Sequence, residues 1–254
     1  MPQIAICIEM FYTDLPVLDR IARVAAAGAP GIDMWGWENK DIKAINTLAK
    51  QLGVRVTSFG GGGWRPPLVD PASKGVFLDG LAKAIDAAHY LDCPCLIVMS
   101  GDELPGVDRE QQHRSVVDAL KAAARVAEKA KITLVLEPLN TIVDHKGYYL
   151  DHAAEGFQMI DEVGSEAVKL LYDVYHMQIM DGTLIQTISE NIEKIGHFHA
   201  ADAPGRYEPG TGELNYANIA NAIDDLGYTG YFGLECRQKG SPDDVIRSAV
   251  GGFQ

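Results

Sequence analysis

The segment ITLVLE (132–137) is a short apolar run that ends in a carboxylate, and three similar runs, two of which also end in a carboxylate, follow further along the chain. The later copies are VKLLYD (168–173), GHFHAA (196–201) and GYFGLE (230–235). These runs contain β-branched and aromatic residues and lack strict alternation of polar and apolar positions, which is typical of strands buried on both faces. The sequence therefore predicts four parallel strands in the second half of the chain.

Four further apolar runs precede this segment and bring the candidate strands to eight: IAICIEM (4–10), GIDMW (31–35), VRVTSF (54–59) and CLIVMS (95–100). Segments with helical spacing separate the strands, and several begin at a capping Asp or end at a Gly. They are LPVLDRIARVAAAGA (15–29), DIKAINTLAKQLG (41–53), KGVFLDGLAKAIDAAHYL (74–91), DREQQHRSVVDALKAAARVAEKA (108–130), DHAAEGFQMIDEVG (151–164), LIQTISENIEKIG (184–196), NYANIANAIDDLG (215–227) and SPDDVIRSAV (241–250). Eight strand–helix alternations predict an α/β fold, a closed (β/α)8 TIM barrel.

The size of the chain fits one such barrel. It has 254 residues, of which 47% are hydrophobic, and a barrel needs about 250 residues, so residues 1–254 are interpreted as a single domain. The GGGG run at 60–63 follows the third strand and lacks the pattern of a phosphate-binding loop. We expect it to be a surface loop or a small-residue opening beside a substrate site.

Charge and composition restrict the partners. The net charge of −13 argues against nucleic acid. No segment has the length of a membrane span, and the N-terminal MPQIAICIEM lacks the pattern of a signal peptide. Cys7, Cys93, Cys95 and Cys236 fit reduced, buried positions rather than a redox pair. We therefore expect a cytoplasmic protein that binds a small polar molecule, and not a membrane or nucleic acid.

Four successive predicted strands carry a potential metal ligand at or near their carboxyl ends. Glu137, Asp173 and Glu235 end the fifth, sixth and eighth strands, and His199 lies near the end of the seventh. The carboxyl ends of barrel strands form one ring, so these side chains are expected to converge. Three carboxylates and an imidazole suit one divalent ion, Mn²⁺ or Mg²⁺, with Co²⁺ as a third candidate. Without a cation, repulsion is expected to raise the pKa of at least one carboxyl.

Other polar residues lie close to these strand ends. His176 is predicted in the turn after the sixth strand, either as a hydrogen-bond donor to substrate or as a surface histidine. Arg206 lies in the loop after the seventh strand, where it suits a substrate carboxylate or hydroxyls; a surface ion pair with Glu208 or Asp202 is the alternative. His197 is expected to lie deeper in the barrel than the metal.

Several longer motifs resemble a known family. The segments LVLEPLN, YDVYHMQIMDGTL, HFHAADAPGRYEPGTGELNY and GYFGLECR are similar to those of the hydroxypyruvate isomerase family, within the xylose-isomerase-like superfamily of barrel isomerases and epimerases. EMFYTDLP and VMSG fit as well, so that the resemblance covers nearly the whole chain. One departure is His199, where hydroxypyruvate isomerases often have Gln and ketose 3-epimerases have His.

The resemblance implies a role for each matching residue. Glu137, Asp173, His199 and Glu235 would bind one divalent ion. Glu137 and Glu235 would also be the catalytic acid/base pair, and His176 and Arg206 would bind substrate.

The expected reaction is the interconversion of a small hydroxy-carbonyl acid or sugar, similar to hydroxypyruvate and tartronate semialdehyde, through an enediolate. A ketose or keto-acid 3-epimerase and a 3-oxo-acid decarboxylase use the same site and remain alternatives. A barrel endonuclease would need a cationic groove and more histidines, and a non-catalytic sugar-binding barrel would have lost a ligand. A homo-oligomer, dimer or tetramer, is expected; Trp35, Trp37 and Trp64 suit either an interface or the roof of the pocket.

Overall fold

The computed structural model describes residues 2–253. The strands in this range are β1 (Gln3–Cys7), β2 (Gly31–Met34), β3 (Arg55–Gly62), β4 (Cys95–Val98), β5 (Thr133–Leu136), β6 (Val168–Asp173), β7 (Ile195–Ala200) and β8 (Tyr231–Leu234). The helices are α1 (Val17–Ala26), α2 (Ile42–Leu52), α3 (Lys74–Leu91), α4 (Arg109–Ala130), α5 (Ala153–Val163), α6 (Val174–Met180), α7 (Leu184–Asn191), α8 (Tyr216–Asp225) and α9 (Pro242–Val250). Short 3₁₀ turns precede α3, at Pro71–Ser73, and β7, at Ile192–Lys194.

The eight strands close into one parallel barrel in the order β1 to β8, and β8 pairs back with β1. The predicted (β/α)8 barrel is therefore confirmed. Every strand contains residues buried on both faces, which explains why the apolar runs were nearly continuous. A small apolar cluster of alternate residues on β4, β5 and β6 fills one side of the interior: Cys95, Ile97, Val135 and Leu171.

Several helices end where the sequence indicated, whereas the one predicted over 184–196 ends at Asn191, and Gly196 lies in β7. Asp41 caps α2 by accepting a hydrogen bond from the backbone N–H of Ala44, and Gly53 ends the same helix at φ 70°. The four cysteines are buried and free, as expected. Between residues 2 and 253, no helix combines the length and apolarity needed to cross a bilayer.

Three local predictions are corrected by the structure. β1 ends at Cys7 rather than at residue 10, because the chain turns immediately afterwards. The Gly run at 60–63 is not a loop after the third strand, since β3 continues to Gly62 and pairs with β4 there. His176 lies in helix α6, which was not predicted, and not in a turn. The last two corrections shape the site described next.

Candidate metal centre and active site

The strand-end residues named from the sequence come together at the carboxyl end of the barrel. Asp173 is the last residue of β6 and His199 the fifth of the six residues of β7. Glu137 and Glu235 each follow directly after their strands, β5 and β8. All four side chains are buried, with no more than 6% of any residue exposed. The predicted convergence is thus present in the structure.

The candidate ligand atoms lie close enough together to bind one ion. One oxygen of each of Glu137, Asp173 and Glu235 lies, together with a nitrogen of His176, in a group whose atoms are all within 4.8 Å of each other. His199 joins this group from β7, since its Nδ1 is 3.5 Å from Glu137 Oε1 and 3.7 Å from Glu235 Oε2.

Four buried atoms at this point have no hydrogen-bond partner: Glu137 Oε1, Asp173 Oδ2, His176 Nε2 and His199 Nδ1. The other ring nitrogen of His199 also has none, and it faces Asp33. A buried polar atom without a partner is costly and rare in a folded protein. Several of them aimed at one point are typical of a site that is completed by an ion or a ligand.

Burial and charge shift the pKa values of these groups in opposite directions. Burial raises the pKa of the Asp173 carboxyl to about 7, with a smaller contribution from the neighbouring glutamates. Burial opposes protonation of His199, but the carboxylates of Glu137 and Glu235 outweigh it and raise the pKa of this imidazole to about 10. The expected rise of a carboxyl pKa is confirmed at Asp173, although burial contributes more than repulsion. In the metal-free site, protons therefore offset the crowded negative charge.

Asp173 explains both helix α6 and the orientation of its own carboxylate. Oδ1 of this side chain accepts hydrogen bonds from the backbone N–H groups of Tyr175 and His176, at 2.8 and 3.3 Å, and so caps α6. The other oxygen, Oδ2, is left facing the site without a partner. One residue at a strand end therefore begins a helix and contributes a potential ligand.

The tautomer of His176 is determined by Asn140. The backbone N–H of Asn140 donates to His176 Nδ1 at 3.2 Å, and burial lowers the pKa of this imidazole well below its usual value. A neutral ring whose Nδ1 accepts must carry its proton on Nε2. That nitrogen lies 3.6 Å from Asp173 Oδ2 and is a donor, not a metal ligand. His199 Nδ1 is therefore a better candidate for a fourth ligand atom than His176 Nε2.

Arg206 reaches the site and not the surface. Its Nη2 donates to Glu235 Oε2, while Glu208 and Asp202 accept from backbone N–H groups of the surrounding loops. The alternative of a surface ion pair is therefore wrong. The other oxygen of Glu235 accepts a hydrogen bond from the indole Nε1–H of Trp35. Burial would raise the pKa of Glu235, but Arg206 and its other neighbours lower it.

Asp33 is a part of the site that the sequence analysis missed. Its Oδ2 lies 3.2 Å from His197 Nε2 and 3.8 Å from His199 Nε2, and its Oδ1 accepts from the hydroxyls of Thr57 and Ser58. Burial would raise the pKa of Asp33, but the imidazoles and hydroxyls lower it to about 2. A carboxylate inside the apolar run GIDMW was the available signal. His197 lies on the inner side of the cluster, as expected.

A cavity of about 470 Å³ opens above the side chains of the candidate metal centre. Its lining residues are Trp35, Glu38, Gly60, Gly62, Trp64, Ile97, Met99, Glu137, Leu139, His145, His199, Arg206 and Glu235. Two of the tryptophans therefore border the pocket, and Gly60 and Gly62 form the small-residue opening that was one reading of the Gly run. His145, whose ring packs against Trp64, was not predicted, because nothing in its sequence context marks a cavity residue.

Comparison with known proteins places this geometry among relatives. A family model described as xylose isomerase-like TIM barrel matches residues 21–253. The hydroxypyruvate isomerase of Escherichia coli (strain K12) is 31% identical over 246 residues, which covers 94% of this chain and 95% of the relative. The 2-oxo-tetronate isomerase of Cupriavidus necator is 30% identical and covers 94% of each chain. A solved structure described as AP endonuclease, family 2, from Brucella melitensis superposes with a TM-score of 0.88, at 29% identity over 97% of both chains.

Proposed function

Since this chain belongs to the xylose isomerase-like TIM barrel family, we propose that it is a metal-dependent isomerase of a small hydroxy-carbonyl acid or sugar. The substrate would be similar to hydroxypyruvate or tartronate semialdehyde. The chain is an enzyme of the isomerase or epimerase type, like the relatives that match 94% of its length. Residues 1–254 would act as one domain.

The observation that carries this proposal is the set of buried, unpartnered atoms contributed by Glu137, Asp173 and His199. Together with Glu235 they form an oxygen-rich donor set, which suits Mn²⁺ or Mg²⁺, with Co²⁺ also able to bind. A divalent ion would give each of these atoms a partner and offset the carboxylate charge. The residues present therefore fit the metal that the sequence predicted.

Bound there, a divalent ion stabilises negative charge that develops on the carbonyl oxygen and the neighbouring hydroxyl of a substrate. The proton that must be moved lies on the carbon next to that carbonyl. Glu137 and Glu235, from strands three apart in the barrel, are the acid/base pair of the proposal. Glu137 Oε1 has no hydrogen-bond donor, whereas both oxygens of Glu235 accept one. Glu137 is thus the freer of the two to accept the proton.

The remaining polar groups orient the substrate. The Nε2–H of His176 is a buried donor without an acceptor at hydrogen-bond distance, so that it suits a substrate oxygen. The Arg206 guanidinium lies at the edge of the cavity and holds Glu235. Return of the proton to the adjacent carbon gives isomerisation of an aldose–ketose pair, through an enediolate.

A ketose or keto-acid 3-epimerase is the second candidate, and the cavity is large enough for its substrates. Return of the proton to the opposite face of the same carbon inverts that centre without any change of the site. A volume of about 470 Å³ has room for a ketohexose as well as for a three-carbon acid. His199 also matches the residue that ketose 3-epimerases have at this position.

The electrostatics of the cavity argue against a nuclease. Among the described residues that line it, Arg206 is the one Lys or Arg side chain, and it is paired with Glu235. The net charge of −13 further disfavours a phosphate backbone.

The test is exchange of substrate protons with solvent. Purified protein is analysed for bound metal, reconstituted with Mn²⁺ or Mg²⁺, and incubated in deuterated water with hydroxypyruvate, 2-oxo-tetronates or ketohexoses. We expect deuterium to enter the carbon next to the carbonyl, and the product distinguishes isomerisation, epimerisation and release of carbon dioxide. The substitution Glu137→Gln serves as the control for protein-dependent exchange. Absence of metal binding together with absence of exchange in every compound would refute the proposal.

A further inference from the structure

The loop that follows β2 is held to the end of β1 by a nearly buried ion pair. Lys40 Nζ lies 2.7 Å from Glu9 Oε1, and the two side chains are only 8% and 15% exposed. Lys40 also donates to the backbone carbonyl of Gly36 at 2.6 Å. The other oxygen of Glu9 accepts from the backbone N–H of Trp35 at 3.1 Å. Both members of the ion pair thus also form a hydrogen bond with the backbone of residues 35 and 36.

A third contact comes from the extended part of β3. A Cβ on Gly60 would lie 2.5 Å from the carbonyl oxygen of Trp35, so that only glycine allows the loop to approach this closely. The geometry of the loop therefore depends on Glu9, just after β1, on Lys40 within the loop, and on Gly60 of β3. Neither Glu9 nor Lys40 lines the cavity, so their contacts hold the loop and do not form part of the cavity wall.

The fixed backbone directs one polar atom into the site. The Trp35 residue is 56% exposed, yet its indole Nε1–H donates to Glu235 Oε1 beneath it. A tryptophan side chain that is partly exposed to solvent and directs its N–H inward as a hydrogen-bond donor is suited to orient the group that accepts that bond. Arg206 takes the opposite oxygen of Glu235, so that the carboxylate is held from two sides.

We propose that Glu9, Lys40 and Trp35 form a positioning unit that sets the orientation of the Glu235 carboxylate. Trp35 contacts Glu235 directly, whereas Glu9 and Lys40 act through the backbone of Trp35. The inference rests on the proposed function, in which Glu235 moves a proton and binds the metal. Catalytic groups must be held within about 0.5 Å of their working geometry, and a nearly buried ion pair is a costly feature unless it specifies such a geometry.

The first test is independent of activity. In ¹⁵N-labelled protein, the indole N–H of Trp35, assigned by its loss in Trp35→Phe, is expected to exchange with solvent slowly because it is hydrogen bonded. Lys40→Met and Glu9→Gln should accelerate this exchange about tenfold or more, and Lys40→Arg, which keeps the ion pair, should restore protection. If the indole proton exchanges at the same rate in all four proteins, the unit does not exist, whatever reaction the enzyme catalyses.

The second test measures kcat and KM in the metal-loaded enzyme. Trp35→Phe should lower kcat about tenfold, and Lys40→Met and Glu9→Gln several-fold, with little change in KM, because they misalign Glu235 rather than weaken binding. The double variant Trp35→Phe/Glu9→Gln should be no worse than Trp35→Phe alone, as residues in one pathway are not additive. Trp37→Phe, on the same loop but outside the cavity, is the matched control and should behave like the parent.

The outcomes separate the two proposals. A change in KM alone, or additive effects in the double variant, would mean that Trp35 only covers the pocket and would overturn the positioning role. A parent enzyme with neither metal binding nor turnover on any compound would refute the proposed function instead, and the indole exchange would then judge the positioning unit by itself.

Discussion

Gly233 provides a test of the polar cluster beneath the proposed metal site. It lies on β8 directly across from His199 on β7. A Cβ built at this position would lie 2.2 Å from Asp33 Oδ2 and 2.8 Å from His199 Cδ2. Contacts this short cannot persist, so Gly233→Ala must move at least one of these side chains.

Neither neighbour can move without loss. The Asp33 carboxylate is held by the Thr57 and Ser58 hydroxyls and by His197, and the His199 ring stands on a barrel strand. Overpacking at such a position costs about 1–3 kcal/mol. For a chain of 254 residues, each kcal/mol lowers the thermal midpoint by about 2–4 °C, so that we expect a loss of about 2–12 °C. Displacement of His199 should also weaken Mn²⁺ binding by about 10–100-fold.

The assay compares Gly233→Ala with Gly80→Ala by calorimetric unfolding and Mn²⁺ titration. Gly80 lies in helix α3, is exposed, and its added Cβ would contact nothing within 4 Å. The same chemical change should there stabilise the protein by about 0.5–1 kcal/mol, because alanine favours a helix. A Gly233→Ala protein with the thermal midpoint and Mn²⁺ affinity of the parent would refute the proposed packing of Asp33 against His199.

Three further predictions follow from the same site. Glu235→Gln keeps the side-chain shape but removes the charge, so turnover should fall by orders of magnitude while the far-ultraviolet circular dichroism stays that of the parent; near-normal turnover would contradict the acid/base assignment. Asp33→Asn should weaken Mn²⁺ binding by about 10–100-fold in calorimetry, because His199 loses the charge that orients its ring, and unchanged affinity would exclude this role. Metal ligands must be deprotonated, and the pKa of His199 is raised to about 10 and that of Asp173 to about 7. Mn²⁺ binding at pH 7 should therefore release about 1.5 protons and should weaken as the pH falls. Calorimetry in buffers of different ionisation enthalpy measures the number of protons released, and no release would contradict the prediction.

The sequence was sufficient for the barrel and for the convergence of four strand-end side chains, because both depend on local periodicity and on one topological rule. Glu137, Asp173, His199 and Glu235 each stand at or beside the end of an apolar run, and parallel strands bring such ends to one ring. Helix α6 was missed because Asp173 was interpreted only as a strand-end ligand. Its Oδ1 caps the helix while its Oδ2 faces the site, and residue spacing alone does not show that one carboxylate has both contacts.

Contacts across the barrel were beyond sequence reasoning for a different reason. Asp33 on β2 meets His197 and His199 on β7, although these strands are not neighbours in the sheet. The interior has room for this contact because Gly233, on the strand between β7 and β1, carries no side chain. In the sequence that glycine is simply a small residue within a strand, and only the closed ring shows what its missing Cβ accommodates.

Glu235 and His199 are contacted from opposite sides of the site. Glu235 accepts hydrogen bonds from a loop indole and from Arg206 on its outer side, whereas Asp33 Oδ2 lies 3.8 Å from His199 Nε2 on the inner side. In the proposed site, the geometry of the four strand-end ligands depends on side chains from β2 and β3 and from the segments that follow β1 and β2. The first three strands of this barrel are therefore as much a part of the proposed chemistry as the last four, and substitutions among them should alter metal binding and turnover while the ligands stay unchanged.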